Sequence, residues 1–380
     1  MSALACTYVA KGSTQQGRPS YRCLFLWVGF LQEGGAGTFP IVSCQREKKK
    51  RKNKLLNLSN KELKALQKTV HCYPGATDSW SVFLHKALLS KDPRAHTMAD
   101  PWQTAYDFAV QVARAAGAVI RKAGEEEIKI QTKSSAVDLV TKTDERVEKI
   151  IIGSLKEQFG DGTHCFIGEE SVSKGEACIL TDKPTWIIDP VDGTTNFVHG
   201  FPFVAVSIAF AVNKQLEFGV VYSCLEDKMY KARRGQGAFC DDEQIQVSDV
   251  KDINKSIIIS EHGTDRSIEK VTKIFSTMQK ILRIPVHGLR GSGTAATNMC
   301  LVASGAVEAF FEIGIHCWDI AAGAVIVQEA GGLILDVDGG PFDLMSRRMM
   351  SANNDVIARR IIKEIEIFPV VRDDAPVQKK

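Results

Sequence analysis

The chain has 380 residues, 44% hydrophobic and 24% charged, a globular composition with room for one large domain or two smaller ones. No apolar stretch approaches the ~20 residues of a membrane span. Ten cysteines without a Cys-x-x-Cys pair or zinc-ligand spacing argue against a disulfide framework or a zinc site and for reduced, structural thiols in a cytoplasmic protein. The net charge of +3 conceals a split: residues 1–97 carry 16 Lys and Arg against 5 Asp and Glu, and the remainder carries 32 against 40.

Residues 1–97 read as a basic, disordered extension, with Met98 a natural start for the folded part. The apolar run from Cys23 to Leu31, preceded by Arg18 and Arg22, faintly resembles a signal-peptide core but sits late in the chain. Lys48 to Lys54 (KKKRKNK) forms a charge run suited to a solvated leader or to a nucleic-acid patch. Residues 60–70 have a weak helical period.

Ala105, Phe108, Val112, Ala116 and Val119 recur at helical spacing and predict a helix over 102–123. A second helix is expected over 144–159, with Thr143 as N-cap. Short strands follow at 165–167, 186–188 and 203–212, then neighbouring antiparallel strands at 216–222 and 229–233. Strand 257–260, helix 267–282, strand 286–289, helix 295–303, strand 307–311, helix 318–330 and strand 333–337 complete the order. Strands in a block, then alternation with helices, indicate layered α and β elements and not a regular doubly wound sheet. Residues 375–380 read as a disordered tail.

Trp186-Ile187-Ile188-Asp189-Pro190-Val191-Asp192-Gly193-Thr194-Thr195 carries most of the chemistry. A buried strand runs into two aspartates, and Pro190 removes a backbone donor so that pairing stops there. Two carboxylates on one corner repel unless a cation lies between them, and a hard divalent ion such as Mg²⁺ suits oxygen ligands. Gly-Thr-Thr at a helix start offers N–H groups to an anion. Two further acids end apolar segments: Glu169, after Phe166-Ile167-Gly168, and Asp319, after His316-Cys317-Trp318. Four carboxylates suffice for a two-metal site. Gly293-Thr294-Ala295, at another helix start, adds donors for a polyol or phosphate. Neighbouring acids and the missing zinc spacing favour oxygen-ligated Mg²⁺ over a soft metal at His316-Cys317, which leaves His316 a supporting or packing residue. No Gly-x-Ser-x-Gly, Walker loop or dinucleotide fingerprint occurs.

The segment from Trp186 to Thr194, and Trp318-Asp319-Ile320-Ala321-Ala322-Gly323-Ala324-Val325-Ile326-Val327-Gln328-Glu329-Ala330-Gly331-Gly332, resemble the two signatures of the inositol monophosphatase family. Lys133 to Asp144, Gly168-Glu169-Glu170-Ser171 and Gly339 to Arg348 agree, and the resemblance spans 98–374. It implies a five-layer αβαβα sandwich of the inositol monophosphatase and fructose-1,6-bisphosphatase type. It also implies a Mg²⁺-dependent, lithium-sensitive phosphomonoesterase, homodimeric and cytoplasmic, with two to three ions per subunit. Carried over, Glu169, Asp189 and the Val191 carbonyl hold one ion; Asp189, Asp192 and Asp319 hold the second; Glu169 and waters hold a weaker third. Glu169 and Thr194, the latter paired with Asp144, position the attacking water. The N–H groups of Gly193 and Thr194 bind phosphate, and Asp192, Ala295 and Glu312 meet inositol hydroxyls beside Gly293 and Thr294. Lys133 lies in a loop over the metals. Two extra residues near Gly160 to Thr163, and Thr264 where serine is expected, depart from the pattern without touching these positions.

Two other readings compete. The same chemistry on a nucleotide or sugar bisphosphate requires cationic groups for a second phosphate, whereas Glu312 favours a neutral, hydroxyl-rich leaving group. Nucleic-acid or partner binding through the basic leader is the remaining alternative.

Overall fold

The computed structural model describes residues 6–13, 19–25, 101–125, 130–132, 139–160 and 162–376. The chain divides into two units, Met1–Ala99 and Asp100–Lys380. In the first, β1 (Cys6–Ser13) pairs antiparallel with β2 (Pro19–Phe25). The basic run 48–54, the period at 60–70, Met98 and Lys133 lie outside the described residues, as do residues 377–380 of the expected tail.

The second unit is a stack of five layers. Its outer helices are α1 (Gln103–Ala123) and α2 (Lys142–Phe159), preceded by the short pair β3 (Ile130–Thr132) and β4 (Leu139–Thr141). Ala105, Ala109, Val112, Ala113, Ala116 and Ile120 give α1 one buried stripe, which packs with Val147, Ile151 and Leu155 of α2 on Trp186, Ile188, Phe210 and Phe218 of the first sheet. That sheet contains β5 (Cys165–Gly168), β6 (Thr185–Asp192), β7 (Ala205–Val212), β8 (Gln215–Ser223), β9 (Lys228–Arg233), β10 (Gly237–Cys240) and β11 (Glu243–Ile245), in the spatial order 11-10-9-8-7-6-5. Only β5 and β6 are parallel. α3 (Glu169–Ser173) follows β5, and α4 (Thr194–His199) follows β6.

The second sheet has the order 13-12-14-16-15 and contains β12 (Ile257–Ser260), β13 (Gly288–Arg290), β14 (Ala309–Ile313), β15 (Leu333–Leu335) and β16 (Arg348–Ala352). Between the sheets lie α6 (Ala295–Ala303) and α7 (Cys317–Glu329). α7 is apolar around its circumference because both sides meet a sheet. At Gly219 of β8 a Cβ would stand 2.3 Å from the Ala322 carbonyl oxygen, so a glycine there lets α7 seat directly on the strand. On the outer side, α5 (Ile268–Arg283) and α8 (Asp355–Ile362) close the stack through Ile281, Ile357, Ala358 and Ile361. Among the described residues, no helix is long and apolar enough to cross a membrane.

Several boundaries differ from the sequence reading. Helix α2 starts at Lys142 with Thr141, not Thr143, as N-cap: the Thr141 hydroxyl accepts from the Thr143 N–H, and Asp144 accepts in return from the Thr141 N–H. The strand expected at 286–289 forms at Gly288–Arg290. β16 was not anticipated, because Arg-Met-Met-Ser-Ala shows neither alternation nor β-branching, although it is buried between β14 and β15.

Candidate active site

β6 does not end at Pro190. Its ladder with β7 pairs Asp189 with Ser207, passes over Pro190 and Val191, and resumes with Asp192 opposite Ala205. Three steps on β6 answer two on β7, a bulge of one extra residue. In a regular strand, residues three apart point to opposite faces. The extra residue reverses that parity: the Val191 side chain joins the α1/α2 core, and Asp189 and Asp192 share the interior between the sheets. The missing N–H of proline explains the break, and the bulge explains why pairing returns after it.

Two other elements bring acids to this corner. The parallel register sets Gly168 beside Ile188, so Glu169, the next residue and the first of α3, arrives beside Asp189. Asp319 is the third residue of α7 and accepts from the His316 N–H at 2.8 Å. Carboxylate oxygens of Asp189, Asp192 and Asp319 all lie within 4.8 Å of one another. Burial, then the charges of Glu169, Asp192 and Asp319, push the Asp189 carboxyl well above its ordinary range. Asp192 is raised by burial and then by Asp319, and Asp319 by burial and then by Glu169, against the bond from the His316 N–H. Clustered hard oxygen ligands whose charges raise one another's pKa fit a divalent cation such as Mg²⁺.

Beyond the bulge, Gly193 takes a left-handed conformation (φ 91°), and a Cβ there would stand 2.9 Å from the Phe203 carbonyl oxygen. The chain turns into α4, whose first N–H groups have no intrahelical acceptor. The Thr194 hydroxyl lies 2.8 Å from Asp144 Oδ1 and 3.1 Å from the Val191 carbonyl oxygen. Asp144 is itself fixed by the Thr141 N–H at 2.9 Å and the Thr141 hydroxyl at 2.5 Å. Burial raises its pKa, the Thr141 bond opposes this, and Glu169 adds to it.

The other wall comes from the second half of the unit. Thr294 caps α6 and donates its hydroxyl to Asp192 Oδ2 at 2.5 Å, while the Ala296 N–H donates to the same oxygen at 2.7 Å. Ala295, the first residue of α6, and Gly293 (φ 80°) flank these contacts. The buried Glu312 on β14 is pushed well up by burial, then by the charges of Glu261, Asp319 and Asp192. Asp144, Glu169, Asp189, Val191, Asp192, Gly193, Thr194, Gly293, Thr294, Ala295, Glu312 and Asp319 are thus linked by contacts or charge into one region, and Lys133 is outside the description.

His316 stacks on Trp318, with ring centroids 4.5 Å apart and 6° between the planes. Its Nε2 lies 3.0 Å from Arg347 Nη2, which can only donate, so Nε2 accepts and the proton sits on Nδ1, facing Asp373 at 2.6 Å. The ring is a support for the start of α7.

Two residues escaped the sequence reading. Asn196 Nδ2 donates to the carbonyls of Phe203 at 2.8 Å and Ser292 at 2.7 Å, tying α4 to the turn before α6. Glu261 Oε1 receives the N–H groups of Ser292 at 2.7 Å and Gly293 at 2.8 Å, and Asn298 Nδ2 at 2.8 Å. An acid directly after an apolar strand, the signal that picked out Glu169, also marks Glu261.

Residues 102–368 match the model of the inositol monophosphatase family. Over 277 residues the chain is 60% identical to human inositol monophosphatase 1, covering 73% of this chain and 99% of that protein. Among solved structures it is similar to the extragenic suppressor protein SuhB of Bartonella henselae (30% identity, TM-score 0.62, 69% of this chain and 98% of that one). It is also similar to an inositol monophosphatase from Anabaena (29% identity, TM-score 0.60, 69% and 95%).

Proposed function

Because the chain belongs to the inositol monophosphatase family and is a phosphoric monoester hydrolase, we propose that it hydrolyses myo-inositol monophosphates to inositol and phosphate. The observation that carries this reading is the cluster of buried Asp189 and Asp192 with half-buried Asp319, set beside the Gly193–Thr194 turn on one side and Thr294–Ala295 on the other. Glu169, Asp189 and the Val191 carbonyl are suited to one Mg²⁺, Asp189, Asp192 and Asp319 to a second, and Glu169 to a weaker third. The Val191 carbonyl oxygen has two lone pairs, and with the single Thr194 hydroxyl proton directed to Asp144 both are open to an ion. Bound ions supply Lewis-acid activation and neutralise phosphate charge.

The chain's own groups do the rest. Thr194 gives its hydroxyl proton to Asp144, which leaves its oxygen lone pairs to accept a hydrogen bond from a water held against Glu169. Glu169 takes up the proton that this water releases as it attacks phosphorus in line and the bond from phosphorus to the inositol oxygen breaks; the departing alkoxide takes its proton from a solvent water. The N–H groups of Gly193 and Thr194 bind phosphate oxygens at the start of α4. Asp192 receives Thr294 and Ala296 on Oδ2, which orients its other oxygen, and with Glu312 and Ala295 it meets the polyol hydroxyls. We assign catalysis to residues 98–374 and treat 1–97 as an extension that turnover does not need. Inhibition by lithium, homodimeric assembly and a cytoplasmic location belong to the same proposal.

The carboxylates of Asp192 and Glu312 on the leaving-group side oppose a second phosphate, which places sugar and nucleotide bisphosphates behind inositol monophosphates. Phosphate release measured over a panel of inositol, sugar and nucleotide phosphates, with Mg²⁺ and with added Li⁺, tests the reading. Fastest turnover of inositol monophosphates and loss with Li⁺ are expected; preference for a bisphosphate overturns the substrate assignment.

A further inference from the structure

The metal-side turn at 193–194 follows the first sheet, and the polyol-side turn at 292–295 follows β13 of the second. Their relative placement decides where a leaving group sits once its phosphate is bound. Of two side chains outside the proposed ligand set, Asn196 spans that seam and Glu261 fixes the polyol-side turn. Asn196 uses both protons of its amide, one on Phe203 and one on Ser292, and so holds α4 against the polyol-side turn. Its carboxamide also packs against both glycines. A Cβ on Gly293 would stand 2.7 Å from Asn196 Oδ1, and one on Gly193 would stand 3.5 Å from Nδ2.

Glu261 grips the same turn from the end of β12. A single oxygen collects two successive backbone N–H groups and the Asn298 amide, and the Ser292 hydroxyl closes the ring onto Asn298 Oδ1 at 2.7 Å. Charge-assisted bonds of this kind are about twice as strong as neutral ones. The Gly293 N–H is thereby committed to Glu261, so this turn reads a leaving group through the position it holds and not through that proton.

We propose that Glu261 and Asn196 are positioning residues that set the 292–295 turn against the 193–194 turn, and that selectivity for a polyol leaving group depends on this brace. The proposal rests on the inositol monophosphate reading and adds to it the device that enforces the leaving-group preference. An ester whose leaving group makes no hydroxyl contacts depends on the phosphate side alone and is less sensitive to the brace.

The test uses the full chain with Mg²⁺ and two substrates, myo-inositol 1-phosphate and p-nitrophenyl phosphate, with KM and kcat measured for each. In Glu261→Ala, the ratio of kcat/KM for the inositol ester to that for the aryl ester falls about 30-fold, mainly through KM, as expected for a turn displaced by about 1 Å. Glu261→Gln keeps an oxygen for all three donors and recovers most of the ratio. Asn196→Ala lowers both rates, because α4 loosens with the turn, and lowers the inositol ester's rate more. Equal loss on both esters in Glu261→Ala, or a Gln variant no better than Ala, overturns the proposal. Should Glu261→Ala not fold by circular dichroism, Asn298→Ala removes one of the three bonds and is expected to lower the ratio in the same direction by a smaller factor; an unchanged ratio there also overturns it. A wild-type enzyme that turns over the aryl ester but not inositol 1-phosphate defeats the substrate reading instead, so the two failures are distinct.

Discussion

Glu148 and Glu308 are as deeply buried as the acids around Asp189, but their surroundings differ in kind. Glu148 receives the N–H groups of Glu170 at 2.8 Å and Ser171 at 2.9 Å and the Ser171 hydroxyl at 2.6 Å. Glu308 receives the Ile257 N–H at 2.7 Å and the Ser248 hydroxyl at 3.0 Å. Asp189 and Asp192 are instead raised by burial and then by neighbouring acids, Asp189 by Glu169, Asp192 and Asp319 and Asp192 by Asp319. Asp319 is raised by burial and by Glu169. Where donors surround a carboxylate, the charge latches segments together: Glu148 fixes α3, and Glu308 joins the start of β12 to the loop before it. Where carboxylates face one another, the fold keeps an electrostatic strain that a bound cation or an added proton relieves, the arrangement expected where function outweighs stability.

The sharpest break in that contrast is Asp189→Asn. Losing the proposed shared ligand is expected to lower Mg²⁺-dependent phosphate release on the order of a thousandfold, several kcal/mol of transition-state stabilisation. The same change should raise the melting temperature of the metal-free protein, because one repelling charge is gone; a lower value would show that Asp189 is a structural acid like Glu148. Glu148→Ala should do the reverse, costing about 2–4 kcal/mol in denaturant unfolding by stranding its donors. Unchanged stability there would dissolve the distinction between the two classes.

Acidity gives a gentler test. Asp189, Asp192 and Asp319 hold their protons more tightly folded than unfolded, so the stability they confer on the metal-free protein is complete below the ordinary carboxylate range. It is lost as pH rises, through about 8 for Asp192. Melting of the metal-free enzyme should therefore fall between pH 6 and pH 9, and Mg²⁺ should remove most of that fall; a rise over this interval contradicts the shifts. The smallest effect is expected from Thr264→Ser on the exposed segment after β12, where the hydroxyl is retained and steady-state constants should stay as they are.

Much of this contrast was legible in the sequence. The strand into Asp189, the acids at Glu169 and Asp319, and the apolar length of α7 all announce themselves by pattern, because burial on a strand or between layers leaves a run of apolar residues. The bulge did not. Pro190 signals that a ladder breaks, but whether pairing resumes depends on β7, which the local sequence does not encode. The brace escaped for a related reason. Asn196 and Glu261 act on backbone groups of residues 292 and 293, and contacts between distant segments carry no local period. β16 was hidden because its partners, not its composition, make it a strand.

The extra residue in β6 also bears on how this corner tolerates mutational change. Substituting Pro190 or Val191 leaves the count of residues between the two aspartates intact, so both still face inward. Deleting either one restores an even ladder with β7 in which residues two apart share a face, so both aspartates still point inward. What is lost is the bulge that lets the Val191 N–H reach Asp189 at 2.9 Å and the Val191 carbonyl face Thr194. The extra residue therefore serves the backbone of Val191 and not the facing of the acids, and lineages of this chain should exchange side chains at 190 and 191 more freely than they gain or lose a codon there.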